Sequence, residues 1–176
     1  MAVATLAMEV GDRVGAFAFG ERVRASVPPR SDAAQAARIV DALFDVEPRV
    51  TASDYLGSLG AVLSRYRRRA MLVLFTDLAD EAALDTLLAT IPTLVRRHLV
   101  LVGEVGDPEV ERLARVVPVS AEDAFRKAAA AAAQLRRDRA AARLARLGAA
   151  VIDRPPGELA TALADEYLRA KAYARL

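Results

Sequence analysis

Met71–Asp77, MLVLFTD, is the stretch on which the fold turns. It runs without a charge from Met71 through Thr76, rich in Leu and Val, and stops at Asp77. A run of this kind predicts a parallel strand covered on both faces, because a strand with one wet face alternates apolar and polar residues instead. Ligands of open parallel α/β sheets sit beyond the carboxyl ends of the strands, so Asp77 is expected at the ligand-facing edge.

The surrounding chain alternates helical and strand patterns. Upstream, Tyr55–Tyr66 carries Leu56, Leu59, Val62 and Leu63 at helical spacing, and Ser31 or Asp32 opens an earlier helix with Ile39, Val40, Leu43 and Phe44 on its apolar side. Arg13–Phe19 and Arg22–Val27 read as a hairpin around Gly20-Glu21, ended by Pro28-Pro29. Ala2–Val10 reads as the tail of a helix with Gly11 as its cap. Downstream, Asp80 opens a helix, His98–Gly103 is a second buried strand, and Asp107-Pro108 starts a short helix with Pro at its first position. Ser120 opens a long Ala/Arg helix stopped near Gly148, Ala149–Ile152 is a last strand, and a final helix follows Pro155. The expected fold class is α/β: a mostly parallel sheet with helices on both faces, in one domain over residues 1–176.

Composition narrows the chemistry. With 54% hydrophobic and 27% charged residues, 176 residues suffice for a globular core. The absence of cysteine excludes disulfides, thiolate metal sites and thiol catalysis. No stretch reaches the ~20 apolar residues of a membrane span, and a cytoplasmic location is expected. A net charge of +2 gives little support to nucleic-acid binding. The helix bearing Arg126, Arg136, Arg137, Arg139, Arg143 and Arg146 is interrupted by acids and lacks interleaved aromatics, which favours a solvated face over a base-stacking one.

Two places offer ligand chemistry: Asp77 with Asp80 after the strand, and Thr51-Ala52-Ser53-Asp54 ahead of a helix. Their hydroxyl and carboxylate oxygens are hard ligands, suited to magnesium, calcium or manganese. Asp54 and Asp80 also stand where helix caps are expected. Catalytic signatures are missing: His98 is the only histidine, no G-x-S-x-G elbow occurs, and Ala79 stands where an aspartyl-nucleophile phosphatase would carry its second Asp.

The order of segments is informative. GDRVGAFAFGERVRASVPP (residues 11–29), SDYLGSLGAVLSRYRRRAMLVLFTDLAD (53–80), RRHLVLVGEVGDPEVERLA (96–114) and LGAAVIDRPPGELATALADEYLRAKA (147–172) together resemble the bacterial family called domain of unknown function 58. That family is similar to von Willebrand factor A domains, which are Rossmann-like. The resemblance implies a metal-ion-dependent adhesion site, with Ser53 as the loop hydroxyl and Asp77 as the later acid, and magnesium held weakly or not at all. It implies a non-enzymatic protein-interaction domain working with a MoxR-type AAA+ ATPase, in chaperone-like or metal-insertion roles; the alternative is a metal-dependent phosphohydrolase using Asp77 and Asp80. The family's Asp-x-Ser-x-Ser motif has no match in this sequence, so the expected fold is incomplete at the N-terminus and lacks its first strand. The strands at Arg13–Phe19 and Met71–Thr76, which should flank that strand, are expected to pair directly or to accept a strand from a second molecule.

Overall fold

The structure, a computed structural model, describes residues 1–47, 52–78 and 80–173. Thr51 of the hydroxyl-rich loop and Ala79 lie outside the described residues. In chain order the elements are α1 (Ala2–Glu9), β1 (Val14–Phe19), β2 (Val23–Arg30), α2 (Gln35–Phe44), α3 (Tyr55–Arg65), β3 (Met71–Phe75), α4 (Glu81–Val95), β4 (Leu99–Val105), α5 (Pro108–Arg115), α6 (Ala121–Arg146), β5 (Ala150–Arg154) and α7 (Pro156–Ala172). They form two compact units, one of Met1–Arg68 with the chain from Leu163, the other of Arg69–Ala162.

In the first unit, β1 and β2 form an antiparallel pair. The pairing continues through Pro28 and Pro29 to Arg30, so the prolines do not end the strand. Proline is tolerated there because β2 is an edge strand and the register shifts between Val14 and Ala16, opposite the prolines. Gln35, fully buried, clamps α2 to this ladder: its amide donates to Val14 O (2.6 Å) and Pro28 O (2.8 Å), and its Oε1 accepts from Arg38 (2.6 Å). Phe19 stacks against Phe17 at 5.7 Å and meets Tyr55 edge-on at 5.3 Å. The expected apolar faces hold only in part. Ile39 and Leu59 are buried, whereas Phe44 and Leu56 are 83% and 62% exposed, and the buried side of α3 is Tyr55, Ser58 and Leu59. Gly11 ends α1 at φ 85°, as Gly148 ends α6 at φ 93°; both adopt the left-handed conformation that glycine alone takes without penalty.

In the second unit, β3, β4 and β5 form a parallel sheet in that order, with helices in each crossover. The central strand is β4, not β3. Val100, Leu101 and Val102 are fully buried, while β3, with a ladder partner on one side only among the described residues, leaves Met71–Val73 half-buried and Phe75 64% exposed. Leu74, Leu78, Leu87, Ile91, Leu94 and Leu144 complete the core. Among the described residues β1 pairs with β2, and β3 with β4, in separate sheets, so the expected direct pairing of β1 with β3 is not formed.

Candidate functional site

Parallel pairing sets the rows at the carboxyl end of the three-stranded sheet. Phe75 stands beside Gly103, and Gly103 beside Ile152; one row further, Glu104 stands beside Asp153. Thr76 N donates to Gly103 O at 3.3 Å, which carries the β3 ladder to its end and leaves the exposed Asp77 just beyond. Asp77 therefore occupies the edge that the sequence predicts.

Next to it lies a group the sequence did not single out. Glu104 is only 3% exposed, and its Oε1 sits 2.8 Å from Nε of Arg137, a side chain of α6 that is itself 16% exposed. The contact is Coulombic, since the Nε–H direction does not meet hydrogen-bond geometry. Leu78 N donates weakly to Oε1 at 3.4 Å, and Oε2 has no hydrogen-bond partner among the described residues. Burial pushes the Glu104 carboxyl up to about 7; Arg137 and the Leu78 N–H pull it down, while Asp153 and Asp77 push it further up. Two further carboxylates, those of Asp153 and Asp77, thus act on Glu104 at this edge. Beside them a cleft of ≈ 280 Å³ is lined by Gly106, Glu111, Arg115, Gln134, Arg137 and Asp153, among others. Arg137 is the exception to the solvated reading of its helix, whose remaining arginines are exposed.

The caps expected at Asp54 and Asp80 are present. Asp54 accepts from Gly57 N at 2.8 Å, and Asp80 accepts from Ala82 N and Ala83 N at 3.0 and 3.2 Å. Ser53 is half-buried just ahead of α3, where Asp54 N donates to Gly20 O at 2.8 Å and ties the loop to the β1–β2 turn. Ser53 belongs to the first unit and Asp77 to the second. Among the described residues no three His, Cys, Asp or Glu side chains converge to hold a metal ion. The donors on offer are nonetheless hard oxygens, which fit magnesium.

These features define an α/β protein with a parallel three-stranded sheet flanked by helices and an acid-rich carboxyl edge. The profile of the family described as Protein of unknown function DUF58 matches residues 1–150, and the chain belongs to that family. No curated protein and no solved structure matches it. Among the described residues no helix is long and apolar enough to cross a membrane.

Proposed function

We propose that the chain is a non-enzymatic protein-interaction domain of von Willebrand factor A type. Asp77 orients a divalent cation that keeps a position open for a partner's carboxylate, and Ser53 is the hydroxyl ligand that the family resemblance implies. The observation that supports this reading is the placement of Asp77 past the carboxyl end of a parallel strand, in the field of Glu104 and Asp153. A concentration of negative charge there favours a cation and disfavours an anionic substrate. The partner that the family resemblance suggests is a MoxR-type AAA+ ATPase; that step is analogy with the family.

Calorimetric titration with magnesium tests the reading. Binding is expected on the order of millimolar, in the range of sparsely liganded oxygen sites, weakened in both Asp77→Ala and Ser53→Ala. Binding that neither substitution alters would refute the assignment of the ligands. Hydrolysis of a generic phosphate ester, abolished by Asp77→Ala, would favour the phosphohydrolase over the adhesion reading.

A further inference from the structure

The cleft beside Glu104 gathers both signs of charge around one space. It encloses ≈ 280 Å³ between α5, α6 and the carboxyl ends of β4 and β5, all within the second unit. Crevices at that end of a parallel sheet are where open α/β folds take their ligands. Arg115 of α5 and Arg137 of α6 supply its positive groups, and Glu111, Asp138 and Asp153 its negative ones. Among the described residues no apolar side chain lines it.

Arg137 is the group whose bonding is least complete. Its side chain is 16% exposed, and its Nε stands 2.8 Å from the Glu104 carboxylate outside hydrogen-bond geometry. Among the described residues it forms no hydrogen bond at all. Glu104 stands beside Asp153 in the ladder, and side chains paired in register project from the same face of a sheet. Glu104 therefore lies under the cleft, where it balances the charge of Arg137 without engaging its N–H groups. A guanidinium carries five donors in a fork that matches the two oxygens of a carboxylate. Arg137, largely withdrawn from water, presents that fork to the one space it lines.

The acids of the cleft are also incompletely engaged. Asp138 and Asp153 form no ion pair among the described residues, and Glu111 meets Arg115 only at 3.7 Å. A Cβ on Gly106 would stand 3.0 Å from Asp153 Oδ1, so glycine at this position lets the carboxylate lie close against the chain leaving β4. Gln134, half-buried, makes no hydrogen bond among the described residues and adds a neutral donor and acceptor to the same wall.

This lining discriminates by charge. A phosphate or other dianion would meet three carboxylates, and a simple cation would meet two guanidinium groups. A small molecule with one carboxylate and one ammonium satisfies both sets at once. We propose that the cleft binds a free α-amino acid as its zwitterion, with the carboxylate on Arg137 and Arg115 and the ammonium on Asp153 and Asp138. Because nothing apolar lines the space, the amino acid's own side chain is small or polar, with the Gln134 amide as its partner. The site does not use Asp77 and stands independently of the adhesion reading.

Glycine, L-serine and L-glutamine are titrated calorimetrically into the full chain without divalent cations, so the outcome does not depend on Asp77. Saturable binding of at least one is expected. For that amino acid, acetylating the ammonium or amidating the carboxylate should each weaken binding at least about tenfold, the effect of losing one charge-assisted contact. Asp153→Asn, at an exposed side chain, should weaken the unmodified amino acid by a similar factor, and so should Arg137→Gln. Since Arg137 also balances Glu104, Arg115→Ala repeats the test at an exposed side chain and should weaken binding as well. Arg136→Ala, exposed on α6 and outside the cleft, should bind as the parent does. No saturable binding of the three amino acids, equal binding of an acetylated or amidated derivative, or unchanged binding by both Asp153→Asn and Arg115→Ala would overturn the proposal.

Discussion

Replacing Glu104 by Gln should change how stability depends on pH more than it changes stability at any one pH. The carboxyl of Glu104 titrates near 7 in the folded protein against 4.5 for the ordinary group. A folded pKa raised above the unfolded one means that the folded state holds its proton more tightly. Its contribution is fully present below the unfolded value and is lost as pH rises through the folded one. The whole effect is about 3.4 kcal/mol, from ~1.36 kcal/mol per pKa unit. Between about pH 5 and about pH 8 roughly 2.5 kcal/mol of it should appear, because at pH 5 the unfolded group is already mostly ionised.

Urea unfolding of the parent and of Glu104→Gln at both pH values isolates this contribution. Every other titrating group is common to the two proteins, so the difference of differences reports Glu104 with its immediate neighbours. The parent should lose roughly 2.5 kcal/mol more than the variant across that window. Equal pH dependence in the two proteins would refute the reasoning, and would mean that Arg137 fully offsets the burial of the carboxylate. A steeper loss in the variant would reverse the sign of the argument altogether.

Other perturbations follow from the same geometry. Gln35→Ala leaves the Val14 and Pro28 carbonyls without this donor and should cost about 1–3 kcal/mol in urea unfolding, since two part-buried hydrogen bonds are lost. Tyr167→Phe removes the hydroxyl that donates to Asp12 at 2.5 Å and should cost about 1–2 kcal/mol. The Lys171 and Tyr167 contacts hold the Asp12 carboxyl below its ordinary range. Their contribution is therefore present at neutral pH and lost as pH falls through the depressed value, which a set of acid unfolding midpoints would show. Asp80→Ala should cost about 1 kcal/mol of stability through the lost cap of α4, with magnesium binding unchanged. A loss of cation binding without a loss of stability would instead make Asp80 a ligand.

What could be read from sequence was whatever a few consecutive residues decide. Asp80, Asp107 and Ser120 announce helix starts because a short polar side chain just before a helical run satisfies the first free N–H groups. Gly11 announces a helix end for the matching backbone reason. MLVLF and LVLVG were legible as strands, but not which of them is interior. Both are continuously apolar, and β4 is the center only because β5, remote in sequence, pairs with its other edge. Periodicity likewise marked Phe44 and Leu56 as inward-facing, although no element among the described residues covers either of them.

Glu104 escaped notice for the same reason. At the end of an apolar strand, next to Val105-Gly106, a glutamate looks like the first residue of a solvated loop. Its burial depends on Arg137, which the sequence presents as one of several arginines on an exposed helix. The pairing also has a consequence for the carboxyl edge. An apolar side chain at 104 would leave Arg137 buried with no countercharge, and a lysine would add like charge, so an acid at 104 and a cation at 137 stand or fall together. A carboxylate held near neutrality in this way is a weaker repellent to Asp77 and Asp153 than a fully ionised one. When a cation arrives and favours the ionised form, the proton of Glu104 is released, so cation affinity at this edge should rise with pH through about 7. Magnesium titrations of the parent on either side of that pH should show tighter binding on the alkaline side, and Glu104→Gln should abolish the difference. A cation affinity that is flat with pH in the parent would mean that Glu104 does not act on the Asp77 edge.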